Sequence, residues 1–119
     1  MRKVLLLGAL TTALWGGEAS AHARLLKAAP RVGAAVPSPS ELRLWFSEAV
    51  DLTHSNIVIS GPGGARIAPG ALRLDNKDQR VVIAPMTGRL APGRYRVEWN
   101  VTSVDTHHTD GDFTFTVKP

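Results

Sequence analysis

Arg94-Tyr95-Arg96-Val97-Glu98-Trp99-Asn100-Val101 alternates polar and apolar residues without a break. Successive side chains of an extended chain point to opposite faces. Tyr95, Val97, Trp99 and Val101 therefore share one face, and Arg94, Arg96, Glu98 and Asn100 the other. Strict alternation over such a length predicts a half-buried strand with one face on a core. Pro92-Gly93 just before it is a turn signal.

On the C-terminal side comes Ser103-Val104-Asp105-Thr106-His107-His108-Thr109-Asp110-Gly111. If the strand's alternation continues, Ser103, Asp105 and His107 fall on the core-facing side where the core ends. A bulge near Val104 would change that parity. His108 then faces the opposite way, in a solvated or supporting position. Asp110-Gly111 reads as a turn into the last strand. That strand places Phe113, Phe115 and Val117 inward and Asp112, Thr114, Thr116 and Lys118 outward.

On the N-terminal side strand patterns recur with turn residues between them. Residues 22–29 form a first candidate, stopped by Pro30. Residues 32–40 hold Gly33, Pro37 and Pro39 and read as a connection. Leu42, Leu44 and Phe46 share a core face in residues 41–47, with Trp45 facing outward. Ile57 and Ile59 share a face in residues 55–60, where His54, at the start, reads as a surface residue. Gly61-Pro62-Gly63-Gly64 and Asp75-Asn76-Lys77-Asp78 are turns, and Val81-Val82-Ile83 is a β-branched strand core. No long helical period appears. About seven short strands predict an all-β fold, an antiparallel β-sandwich or Greek-key barrel.

The first 21 residues read differently. Arg2 and Lys3 precede a short apolar run, and Ala19-Ser20-Ala21 is a small-x-small cleavage pattern. This predicts a secretory signal over residues 1–21, too short in its apolar part to span a bilayer. Cleavage leaves residues 22–119 as one domain beginning at His22. Loss of Arg2, Lys3 and Glu18 lowers the formal net charge from +4 to +3. With no Lys/Arg run, this mild charge gives no argument for nucleic acid or an anionic membrane. The absence of cysteine excludes both a disulfide staple and a thiolate metal site.

A mature N-terminal histidine is a special ligand, because its α-amine and ring Nδ1 can close one chelate on one metal. The amine's reference pKa of ~8 lets a metal displace its proton near neutrality. Together with Asp105 and His107 the set is three nitrogens and one oxygen. Tetragonal nitrogen–oxygen sets favour Cu(II), which tops the divalent affinity order. After cleavage Met86 is the only thioether, so a Cu(I) site is hard to build.

These residues also carry a resemblance. His22-Ala23 after a signal site, Pro30-x-x-Gly33, residues 42–48, Pro92-Gly93-x-Tyr95-x-Val97-x-Trp99, and Ser103-x-Asp105-x-His107 through Gly111 and Phe113-x-Phe115 resemble the CopC family of periplasmic copper-binding proteins. The resemblance covers nearly the whole of residues 22–119. It implies an immunoglobulin-like β-sandwich binding one Cu(II) at one pole through His22, Asp105 and His107. Glu48 matches a carboxylate that some members place near the metal. The resemblance further implies a role in copper homeostasis or resistance without catalysis, beside a CopD-type inner-membrane copper transporter. The methionine-rich loop of members that also hold Cu(I) is missing here. Two competing readings are a copper monooxygenase with an N-terminal histidine and a metal-free immunoglobulin-like interaction module.

Overall fold

The computed structural model describes residues 23–119. The predicted signal segment and His22 lie outside the described residues. Nine strands follow one another: β1 (Leu25–Ala29), β2 (Ala35–Val36), β3 (Glu41–Phe46), β4 (Val50–Ser60), β5 (Arg66–Ile67), β6 (Arg73–Asp75), β7 (Asp78–Pro85), β8 (Gly93–Ser103) and β9 (His108–Val117). They form a four-stranded sheet of order β1-β3-β7-β6 and a five-stranded sheet of order β2-β9-β8-β4-β5. All pairings are antiparallel except β2 with β9. This is the all-β sandwich that the alternating patterns predict. No helix among the described residues is long and apolar enough to cross a membrane.

The alternation in β8 is realised residue by residue. Tyr95, Val97, Trp99 and Val101 are buried, and they face Leu42, Leu44 and Phe46 of β3 within one core. Phe46 meets Trp99 edge to face, with ring centroids 5.3 Å apart. Tyr95 stacks on Phe115 at 5.5 Å and donates its hydroxyl hydrogen to the Ala91 carbonyl at 2.6 Å. This tyrosine corner satisfies the polar end of a buried ring. Gly111 is paired with Trp99 across β8 and β9. A Cβ there would lie 2.5 Å from Trp99 Cζ2, so only glycine admits the indole.

Four details depart from the sequence reading. The connection over residues 32–40 contains the two-residue strand β2. The strand expected over residues 55–60 starts earlier, at Val50, with an irregularity between Asp51 and Asn56 that leaves the outer face loosely patterned. The first strand starts at Leu25. Asp110 and Gly111 are not a turn. They lie within β9 opposite Asn100 and Trp99, and the chain reverses earlier, over residues 104–107. The long β8–β9 ladder extends hydrogen bonding almost to the motif, leaving only those residues to turn.

Candidate metal centre at one pole of the sandwich

β8 ends at Ser103, a polar residue only 1% exposed. The turn beyond it is closed by two backbone bonds. The Thr106 N–H donates to the Ser103 carbonyl at 2.8 Å, and the Ser103 N–H donates to the His107 carbonyl at 2.9 Å. Thr106 has φ +72°, in the left-handed region that a β-branched residue rarely enters. Such a conformation costs on the order of 1–3 kcal/mol and persists only where its surroundings enforce it.

This turn brings Asp105 and His107 together. Asp105 Oδ1 lies 3.3 Å from His107 Nδ1. The expectation that Ser103, Asp105 and His107 share a core-facing side holds for Ser103 alone. Asp105 is exposed and His107 half-exposed. They converge because the chain turns, not because strand alternation continues.

The Ser103 hydroxyl donates to Asp105 Oδ1 and receives the His107 N–H at 3.3 Å. The Ser103 hydrogen bond, followed by that from His107, holds the Asp105 carboxyl below its ordinary range. Both favour the carboxylate, the form that can bind a cation. Two donors about 2.0–2.2 Å from one cation, set roughly at a right angle, stand about 3 Å apart. The Asp105–His107 separation fits such a pair.

The other histidines have different partners. His108 opens β9 opposite Thr102, with its Nδ1 3.3 Å from the Thr102 hydroxyl. That hydroxyl donates to the His54 carbonyl at 3.0 Å. The His54 ring is paired with Asp51 at 3.0 Å and is largely exposed. Both therefore occupy the surface positions expected of them. Glu48 follows β3 in a bend, half-buried, and its charge reaches Arg80, whose principal partner is Asp78. Among the described residues no three His, Asp or Glu side chains form a group able to hold a metal. Asp105 and His107 are a pair, and Glu48 does not make it a triad.

The chain just after residue 22 is held at two points. Ala23 is fully buried, and its carbonyl accepts a hydrogen bond from the Thr109 hydroxyl at 2.7 Å. The Arg24 N–H donates to Ser47 Oγ at 2.8 Å, and the Ser47 N–H returns a bond to the Arg24 carbonyl at 2.8 Å. Thr109 lies two residues beyond His107, and Ser47 adjoins Glu48. Nothing in the sequence marks Thr109 or Ser47 as special, because these contacts join segments 86 and 23 residues apart. A polar groove of about 470 Å³ on the outer face of the five-stranded sheet, lined by Asn56, Arg96, Asn100 and Asp112, does not include Asp105 or His107.

The CopC domain model matches residues 25–118. The chain is 39% identical over 113 residues to Protein YobA of Escherichia coli strain K12, covering 94% of this chain and 91% of that protein. It is 35% identical over 130 aligned positions to Copper resistance protein C of Escherichia coli, covering 99% and 98%. The crystal structure of PcoC, described as a methionine-rich copper resistance protein from Escherichia coli, superposes with a TM-score of 0.75 at 29% identity, covering 82% of this chain and all of that one.

Proposed function

Since this chain belongs to the CopC family of copper resistance proteins, we propose that it is an exported Cu(II) carrier in which copper is cargo and no reaction is catalysed. In this reading residues 1–21 are a signal removed in the periplasm, and residues 22–119 are the working domain. The ligands are the α-amine and ring of His22, the Asp105 carboxylate and the His107 imidazole. Glu48 stands nearby as an acidic neighbour of the N-terminal segment. A CopD-type inner-membrane transporter is the exchange partner.

The observation that carries the proposal is the anchoring of Ala23 to the hairpin that bears Asp105 and His107. Asp105 and His107 form a carboxylate–imidazole pair 3.3 Å apart. The residue next to His22 is pinned to the same hairpin at Thr109. Two donors bind a metal weakly. The chelating amine and second imidazole complete a four-donor set of the kind Cu(II) prefers.

The test is a matched pair of proteins, one beginning at His22 and one with a single glycine added before it. The glycine leaves every side chain in place and moves the free amine out of the chelate. The first should bind one Cu(II), with a tetragonal nitrogen-rich electron paramagnetic resonance spectrum. The second should bind far more weakly with an unchanged circular dichroism spectrum. Equal affinity in both would refute the N-terminal chelate. Peroxide formation from the copper-loaded protein and ascorbate, above that of free copper, would favour the monooxygenase reading instead.

A further inference from the structure

Two hydroxyl groups hold the Asp105–His107 turn and the Ala23 carbonyl in place. We propose that Ser103 and Thr109 are positioning residues for copper: Ser103 sets the Asp105–His107 half, and Thr109 sets the N-terminal half through Ala23. This rests on the ligand assignment above and extends it to how the site is built before metal arrives.

Ser103 is the one polar residue buried in the core of the described chain. Its hydroxyl has a single proton and two acceptors within reach, Asp105 Oδ1 and, at 3.3 Å, the His107 carbonyl. The charged acceptor makes the stronger bond, so the proton goes to Asp105. The oxygen meanwhile receives the His107 N–H. One side chain thus fixes the direction of the carboxylate and the backbone of the histidine two residues later.

Thr109 performs the matching task for the other end. Ala23 is fully buried, and a buried carbonyl requires a partner. The Thr109 hydroxyl supplies one at 2.7 Å. Ser47, just past the end of β3, grips Arg24 through both its backbone N–H and its side-chain oxygen. The chain entering the site is thereby fixed immediately before β1. Outer partners that orient ligands typically contribute 10- to 100-fold to metal affinity.

The experiment is a cycle of variants on two backgrounds. Ser103→Ala and Thr109→Val are each made in the protein starting at His22 and in its glycine-extended form, and Cu(II) affinity is measured by competition. Ser103→Ala should weaken binding roughly 10- to 100-fold in both backgrounds, because its half of the site is common to them. Thr109→Val should weaken binding by a similar factor only where the free amine is present, and Thr109→Ser, which keeps the hydroxyl, should bind as the wild type does. In the His22 background, Ser103→Ala should also shift the electron paramagnetic resonance parameters as the carboxylate loses its fixed direction. Equal Cu(II) affinity of Ser103→Ala and wild type, or an equal loss for Thr109→Val in both backgrounds, would overturn the proposal. Should Ser103→Ala fail to fold by circular dichroism, the Thr109 pair decides alone. If the wild type starting at His22 binds no Cu(II), or binds no better than its glycine-extended form, the ligand assignment is what fails.

Discussion

Replacing Gly111 with alanine sets two opposed effects against each other. Gly111 is an interior strand residue with no left-handed conformation. At such a position alanine narrows the unfolded ensemble and would by itself stabilise by about 0.4–1 kcal/mol. Against this, the new Cβ would meet Trp99 Cζ2 at 2.5 Å, Cε2 at 3.0 Å and Cη2 at 3.2 Å. These are atoms of a rigid bicyclic ring, 8% exposed and already packed edge-on against Phe46. The indole cannot swing aside as a flexible chain end could, so the ring or the β9 backbone must shift. Overpacking of this kind costs about 1–3 kcal/mol. The net expectation is a loss of about 1–2 kcal/mol. For a domain of this size each kcal/mol moves the midpoint by about 4–8 °C, so Tm should fall by roughly 4–16 °C in metal-free thermal unfolding followed by circular dichroism. The near-ultraviolet signal of Trp99 should change with it. An unchanged or higher Tm would refute the steric argument and show that β9 yields freely at this point.

Two further outcomes follow from the proposed donor set. Copper affinity should fall steadily on acidification, because protons compete with the metal for the amine and imidazole nitrogens. Asp105 contributes differently: its carboxyl is held below the ordinary range, so its share of folded-state stability is present above the usual carboxyl pKa and is lost only as pH falls through its lower folded value. A Cu(II) titration flat between about pH 5 and pH 8 would contradict the nitrogen set. Cu(I) should bind weakly, since Met86 is the only sulfur in residues 22–119. Stoichiometric Cu(I) capture in a competition assay would argue against that.

Much of the sandwich is legible because β8 and β3 have one wet face and one dry one. Their alternation is therefore a direct image of burial, and Tyr95 to Val101 and Leu42 to Phe46 sit where the pattern puts them. β2 escapes notice because two residues beside prolines carry no periodicity, yet they suffice to pair with Thr116 and Val117. Asp110-Gly111 misleads for a physical reason. Glycine stands there to admit the Trp99 ring from the facing position, not to bend the chain, and local sequence does not distinguish these uses. The bend falls instead on Thr106 at positive φ, an unusual place for threonine. At the site, Asp105 and His107 are recognisable by type and spacing. The hydroxyls of Ser47 and Thr109 are not, because what gives them meaning is a partner far away in the chain.

The bond from Thr109 to Ala23 joins positions 86 residues apart, and that has a consequence for timing. Contacts of such high order form late, since the loop between them must first lose its freedom. If, as proposed, the copper donors lie at both ends of this loop, the site does not exist while the polypeptide is only partly folded. Metal capture would thus report completion of the whole sandwich. Once captured, an ion that binds only the native state adds to its stability in proportion to the logarithm of its concentration over Kd. With the proposed donors on either side of the Thr109–Ala23 bond, the bound ion would act as a latch between the start of the domain and its last hairpin. The loaded protein should therefore resist exopeptidase trimming and terminal hydrogen exchange more than its metal-free form.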